Sequence, residues 1–133
     1  MMPLFECYLM DVKYASPALG LRLSGVPDYP ERAVEALRLL YRHYGENRCT
    51  AEGLLQSGVL LRHLMLPGLP QNTDEVLQLL ARENPGRYPL DLMDDFVPEY
   101  RTAEFLQGPY TIDPVLYREK IALAERLGLV LTE

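Results

Sequence analysis

The chain has 133 residues, 48% hydrophobic and 24% charged, with a formal net charge of -6. That length suits one domain with a modest core. The acidic balance argues against a nucleic-acid partner, since no basic excess is present to displace counterions from phosphate. No window of about eighteen residues is continuously apolar, so no membrane span is expected. No basic-then-apolar leader opens the sequence. The two cysteines, Cys7 and Cys49, make neither a disulfide framework nor a metal knuckle. The expected setting is a reducing cytoplasm.

In chain order, Phe5 to Tyr14 reads as a first strand. Ser16-Pro17 is an N-cap followed by proline at the first helical position. A short helix is therefore expected over 17–23, ending near Ser24-Gly25. Val26 to Pro30 is a turn. Beyond it, Ala33, Leu37, Leu40, Tyr41 and Tyr44 fall at helical spacing and predict an amphipathic helix over 31–44, ended by Gly45. The segment 46–57 is polar and irregular, with room for one turn near Ala51. From Gly58 to Leu66 the chain is a nearly continuous apolar run, broken only by Arg62 and His63. Such a run suits a parallel strand covered on both faces.

Pro67-Gly68 stops that strand. Asn72, with Glu75 three residues on, forms a capping box for a helix over 73–83, closed by Gly86. Tyr88 to Asp94 reads as a third strand, with Asp91, Asp94 and Asp95 crowded at its end. A long loop over 95–112 follows, in which Tyr100 and Tyr110 stand out. Asp113-Pro114 starts the last helix, with Tyr117, Ile121, Ala124 and Leu127 on one face and Gly128 at its end. Residues 129–131 make a short terminal strand or tail. Alternation of this kind favours a single domain with a parallel sheet and right-handed crossovers.

Polar residues inside an apolar strand are costly unless paired, which makes Arg62 and His63 candidates. As neighbours on a strand they face opposite ways, whereas Asp11 and Lys13, two apart, face the same way. Each has a plain structural alternative. Asp11 and Lys13 could form a salt bridge at a strand end, Arg62 could pair with Asp91 or Asp94, and His63 reads as a satisfied core histidine. No second histidine stands at metal-ligand spacing, so no metal site is expected, and no catalytic residue is assigned.

Four segments together carry a resemblance: Tyr8-Leu9-Met10-Asp11-Val12-Lys13-Tyr14, Ser24-Gly25-Val26-Pro27-Asp28-Tyr29, Arg62-His63-Leu64-Met65-Leu66-Pro67-Gly68 and Leu90-Asp91-Leu92-Met93-Asp94. In this order they resemble the C-terminal half of radical SAM proteins, nearest to an uncharacterised group related to pyruvate formate-lyase activating enzymes. The resemblance covers roughly residues 5–131. It implies an α/β fold that is part of a (β/α) barrel with parallel strands. It also implies S-adenosylmethionine contacts: Lys13 with the methionyl carboxylate, Asp11 with the ribose, and Arg62 pointing inward toward carboxylate or phosphate.

Complete members of that family hold a [4Fe-4S] cluster on an N-terminal motif of three cysteines. This sequence has no such motif, and two scattered cysteines cannot supply three thiolates. No cofactor is therefore expected in this chain, and no independent catalysis. The resemblance leaves three expectations. The chain is a radical SAM remnant, a half-enzyme completed by a partner chain bearing the cluster, or a structural protein. All three imply an open sheet edge covered by a homodimer or by a partner chain.

Overall fold

The computed structural model describes residues 6–49, 51–52, 55–96, 106 and 108–132. The elements run β1 (Glu6–Asp11), α1 (Pro17–Ser24), α2 (Tyr29–Tyr44), β2 (Arg48–Cys49), β3 (Leu55–Leu64), α3 (Pro70–Glu83), β4 (Leu90–Met93) and α4 (Pro114–Arg126). The protein is mixed α/β, with a four-stranded sheet that does not close on itself. β3 is central. β1 pairs with it in parallel, with Asp11 opposite Arg62, and β4 pairs with its C-terminal part in parallel, with Arg62 opposite Asp91. Leu131 adds a single parallel bridge to Leu90.

The expectation of a purely parallel sheet is corrected by β2, which lies antiparallel against the start of β3. Its pairing is extended by a side chain. The Asn47 amide donates to the Val59 carbonyl at 2.9 Å and accepts from the Val59 N–H at 2.8 Å, as a strand residue would. Gly58 makes room for it, at φ 141°, where a Cβ would collide with the Asn47 amide.

The local start signals act as the sequence predicts at α1 and α4. Ser16 Oγ accepts from the Leu19 N–H and Asp113 Oδ1 from the Val115 N–H, each with proline just inside the helix. At α3 the expected capping box does not form. Pro70 takes a first-turn position and the helix begins there, so Asn72 is already inside it and Leu69 occupies the cap without a side-chain bond. The helix ends at Glu83, as expected, but Asn84 rather than Gly86 takes the cap position and grips the Tyr88 backbone through both ends of its amide. Boundaries shift elsewhere too. β1 stops at Asp11, α2 starts at Tyr29, β3 starts at Leu55, and β4 is confined to Leu90–Met93. Of the two loop tyrosines, Tyr110 donates to the Leu106 carbonyl at 3.0 Å; Tyr100, like Phe5, lies outside the described residues.

One face of the sheet carries the core. Val12, Val59, Leu61 and Leu90 pack against Leu37 of α2, Val76, Leu77 and Leu80 of α3, and Ala124 of α4, all buried. Lys120 of α4 reaches Asp74 of α3 at 2.7 Å, and Tyr117 donates to the Leu92 carbonyl at 2.7 Å, fixing α4 over β4. The opposite face holds Leu9, Leu60, Arg62, Leu64, Asp91 and Met93, none of them buried. No helix among the described residues is long and apolar enough to cross a membrane.

Leu61, fully buried at the middle of the central strand, measures the core. Leu61→Ala should cost about 2–5 kcal/mol in urea unfolding followed by circular dichroism, because the strand backbone cannot collapse into the cavity.

Candidate functional site

Arg62 and His63 resolve into two different roles. His63 turns toward the helices and is 1% exposed. Its Nδ1 lies 2.7 Å from the Val12 carbonyl and its Nε2 2.9 Å from Thr73 Oγ1. A carbonyl only accepts, so Nδ1 carries the proton and Nε2 accepts from the threonine hydroxyl. Burial pushes the imidazole below its ordinary value, and the bond to Val12 opposes that shift without reversing it. His63 is thus a neutral, satisfied core histidine, as the sequence suggested.

Arg62 turns to the open face. Its Nε donates to Asp11 Oδ1 at 2.8 Å and its Nη2 to Asp11 Oδ2 at 3.3 Å. The expected partner, Asp91 or Asp94, is corrected. Asp11 and Asp91 flank Arg62 on neighbouring strands, and the guanidinium forks onto the β1 carboxylate. The pair is part-exposed, with side-chain exposures of 35% and 46%, so it orders the two groups more than it stabilises the fold. The alternative salt bridge between Asp11 and Lys13 does not form. The Lys13 ammonium has no hydrogen-bond or ion-pair partner among the described residues.

Asp11, Lys13 and Arg62 line one cleft of about 320 Å³, together with Tyr14, Leu64 and Met93. It sits where β1, β3 and β4 end, at the carboxyl edge of the parallel strands, the usual place for a ligand in an α/β sheet. A larger depression of about 610 Å³ follows α2, lined by Glu31, Glu35, Arg38 and Leu39 with Leu79 of α3. Its charges are those of an ordinary solvated helix face and converge on nothing, so the smaller cleft is the better candidate.

β1 ends at Asp11; beyond it the backbone keeps one ladder bond to β3 and otherwise finds side-chain partners. The Val12 N–H donates to the Arg62 carbonyl at 2.8 Å and the Val12 carbonyl accepts from His63. The Lys13 N–H donates to the Tyr29 hydroxyl at 2.8 Å, and the Lys13 carbonyl accepts from Asn72 Nδ2 at 2.9 Å. Tyr29 and Asn72 are contributors that sequence reasoning missed. Asn72 read as a helix cap, and nothing local ties Tyr29 to a strand that ends eighteen residues earlier.

The cysteines do not meet. Cys7 is on β1 and Cys49 on β2, with β3 between these strands; neither is in a disulfide, and both are exposed. No group of three metal-ligating side chains occurs among the described residues. Near β4, burial raises the Tyr117 hydroxyl above its ordinary value, with smaller contributions from Asp94, Asp91 and Asp95. It therefore remains a donor to Leu92.

No family model, curated protein or solved structure matches the chain.

His63 gives a pH test. Its folded value lies below the 6.5 expected of the unfolded chain. Its contribution to stability is complete above that value and is lost as pH falls toward the lowered folded value, because only the unfolded chain then takes up the proton. Between about pH 7.5 and about pH 5 the urea midpoint of the wild type should fall further than that of His63→Gln.

Proposed function

We propose that this chain is part of a radical SAM-type (β/α) barrel related to the pyruvate formate-lyase activating enzymes, and that its cleft holds S-adenosylmethionine. The observation that carries this reading is the convergence of Asp11, Lys13 and Arg62 on one cleft at the strand ends. The parallel partners also succeed one another in chain order, β1, β3, β4 and then Leu131, as the staves of a barrel segment do.

The chemistry fits. S-adenosylmethionine offers a carboxylate and ribose hydroxyls. Lys13, whose ammonium has no partner among the described residues, faces the carboxylate. Asp11 accepts from the ribose hydroxyls while Arg62 holds its carboxylate in place. A cleft of about 320 Å³ is at the small end of the range for cofactor-sized ligands, and Leu64, Met93 and Tyr14 give it apolar walls.

The residues present do not fit an iron–sulfur cluster. Three thiolates are needed, and Cys7 and Cys49 lie on strands separated by β3. In this reading the chain supplies ligand contacts only. No step of radical chemistry is assigned to it, and its exposed thiols suit a reducing cytoplasm.

Titration calorimetry with S-adenosylmethionine tests the proposal. Saturable binding is expected, weakened about ten- to hundredfold in Lys13→Ala, because a charge-assisted contact is lost. No heat above dilution, or equal affinity in the variant, would sink it.

A second reading is an interaction protein that self-associates through the open sheet. It is favoured by β1, which is paired on one side only among the described residues and leaves Tyr8 and Leu9 about half exposed. Light scattering after size exclusion should then give twice the 15.2 kDa chain mass at micromolar concentration, and Leu9→Lys should halve it. A monomer throughout excludes this reading and leaves the cleft untouched.

A further inference from the structure

We infer that Tyr29 is a positioning residue for the cleft: its hydroxyl stands in for an adjoining strand at the end of β1 and holds Asp11 and Lys13 where they line the site. The inference rests on the ligand reading above and adds a residue to it.

In a parallel ladder, one residue of a neighbouring strand donates to the carbonyl of residue i−1 and accepts from the N–H of residue i+1. Around Val12 a single phenol oxygen does both. It accepts from the Lys13 N–H at 2.8 Å and donates to the Asp11 carbonyl at 3.4 Å, the longer and weaker of the two. Val12 itself is bound on its other side to β3, through the Arg62 carbonyl. The segment that presents both cleft residues is therefore gripped from two directions, by a strand and by a hydroxyl.

The phenol is itself fixed. Tyr29 opens α2, and its ring meets that of Tyr14 edge-on, with centroids 5.0 Å apart. The Tyr14 hydroxyl is in turn bonded to Ser24 Oγ at 2.9 Å. α1 comes close behind: a Cβ at Gly20 would lie 2.7 Å from the Tyr29 Cβ and 2.5 Å from the Val26 carbonyl oxygen, so only glycine lets the two helices meet here. Burial raises the Tyr29 hydroxyl above its ordinary value, against the opposing bond from the Lys13 amide, so it stays protonated and able to donate.

Tyr29→Phe keeps the ring and deletes only the hydroxyl. Amide exchange, read residue by residue by NMR, is measured with S-adenosylmethionine titration on the same samples. The Lys13 amide should exchange about tenfold faster, and affinity should fall about three- to tenfold as preorganisation is lost. The amides of Leu61 and His63 should keep wild-type rates. Tyr14→Phe, which removes only the bond to Ser24 and keeps the Tyr29 hydroxyl, should accelerate Lys13 far less. A wild-type rate at Lys13 in Tyr29→Phe overturns the inference, as do faster exchange with undiminished affinity and acceleration shared equally by β3 or by Tyr14→Phe. Should the wild type bind no S-adenosylmethionine, the ligand reading falls and exchange alone decides: selective acceleration at Lys13 upholds the clamp, and a wild-type rate overturns it.

Discussion

The architecture turns on how the chain leaves the sheet after Asp11. A backbone that quits a ladder inside a protein must find other partners for each N–H and C=O, or lose about the worth of a hydrogen bond at each. Here the partners are the Arg62 carbonyl, the His63 imidazole, the Tyr29 hydroxyl and the Asn72 amide, from β3, α2 and α3. The same bonds that satisfy Val12 and Lys13 thus tie α2 and α3 to the end of β1, and that end to the central strand. They also decide what the strand end displays. With the backbone held, the side chains of Asp11 and Lys13 are left to the cleft. Asn72 bears a cost for this, since its Oδ1 is buried without a partner among the described residues. Turning the amide over would set that oxygen against the Lys13 carbonyl, so the present orientation is the better one.

Where the signal is local, the sequence is legible. The Ser16-Pro17 and Asp113-Pro114 starts act through atoms two or three residues away, and both helices begin where those residues predict. The apolar run through Leu61 identifies the central strand for the same reason. Two local signals in competition are harder. Pro70 and the Asn72–Glu75 pair each offer a start for α3, and the proline prevails because its ring already has the helical φ and needs no partner. β2 leaves almost no trace, being two residues long and completed by the Asn47 amide.

The site itself was legible in its members and not in its bonds. Arg62 stands out because a charge interrupts an apolar strand, but its partner depends on which strands lie to either side. Asp11 and Asp91 are both in register with it, one 51 residues earlier and one on the following strand. No periodicity separates those two. Tyr29 is hidden more thoroughly, for it reads as a residue of the turn before a helix and its role is set by distance in space. The same interruption in the sequence, Arg62-His63, also has two unlike outcomes. One residue is a part-exposed cation on the open face, and the other is a neutral ring filling the junction of β1, β3 and α3.

The clamp at Tyr29 also bears on how the open edge of β1 can be used. Successive residues of a strand turn their N–H and C=O to alternate sides, and Val12 turns its own toward β3. The Asp11 carbonyl and the Lys13 N–H therefore belong to the other side, where an added strand would bind them. Tyr29 already occupies both. A strand docking on β1, from a second copy or from another chain, can extend its ladder only along the lower part, beside the exposed apolar side chains of Tyr8 and Leu9. Its path is blocked before it reaches the cleft. Docking and ligand binding then use different stretches of the same short strand, and a partner could cover the apolar edge while Asp11, Lys13 and Arg62 stay accessible.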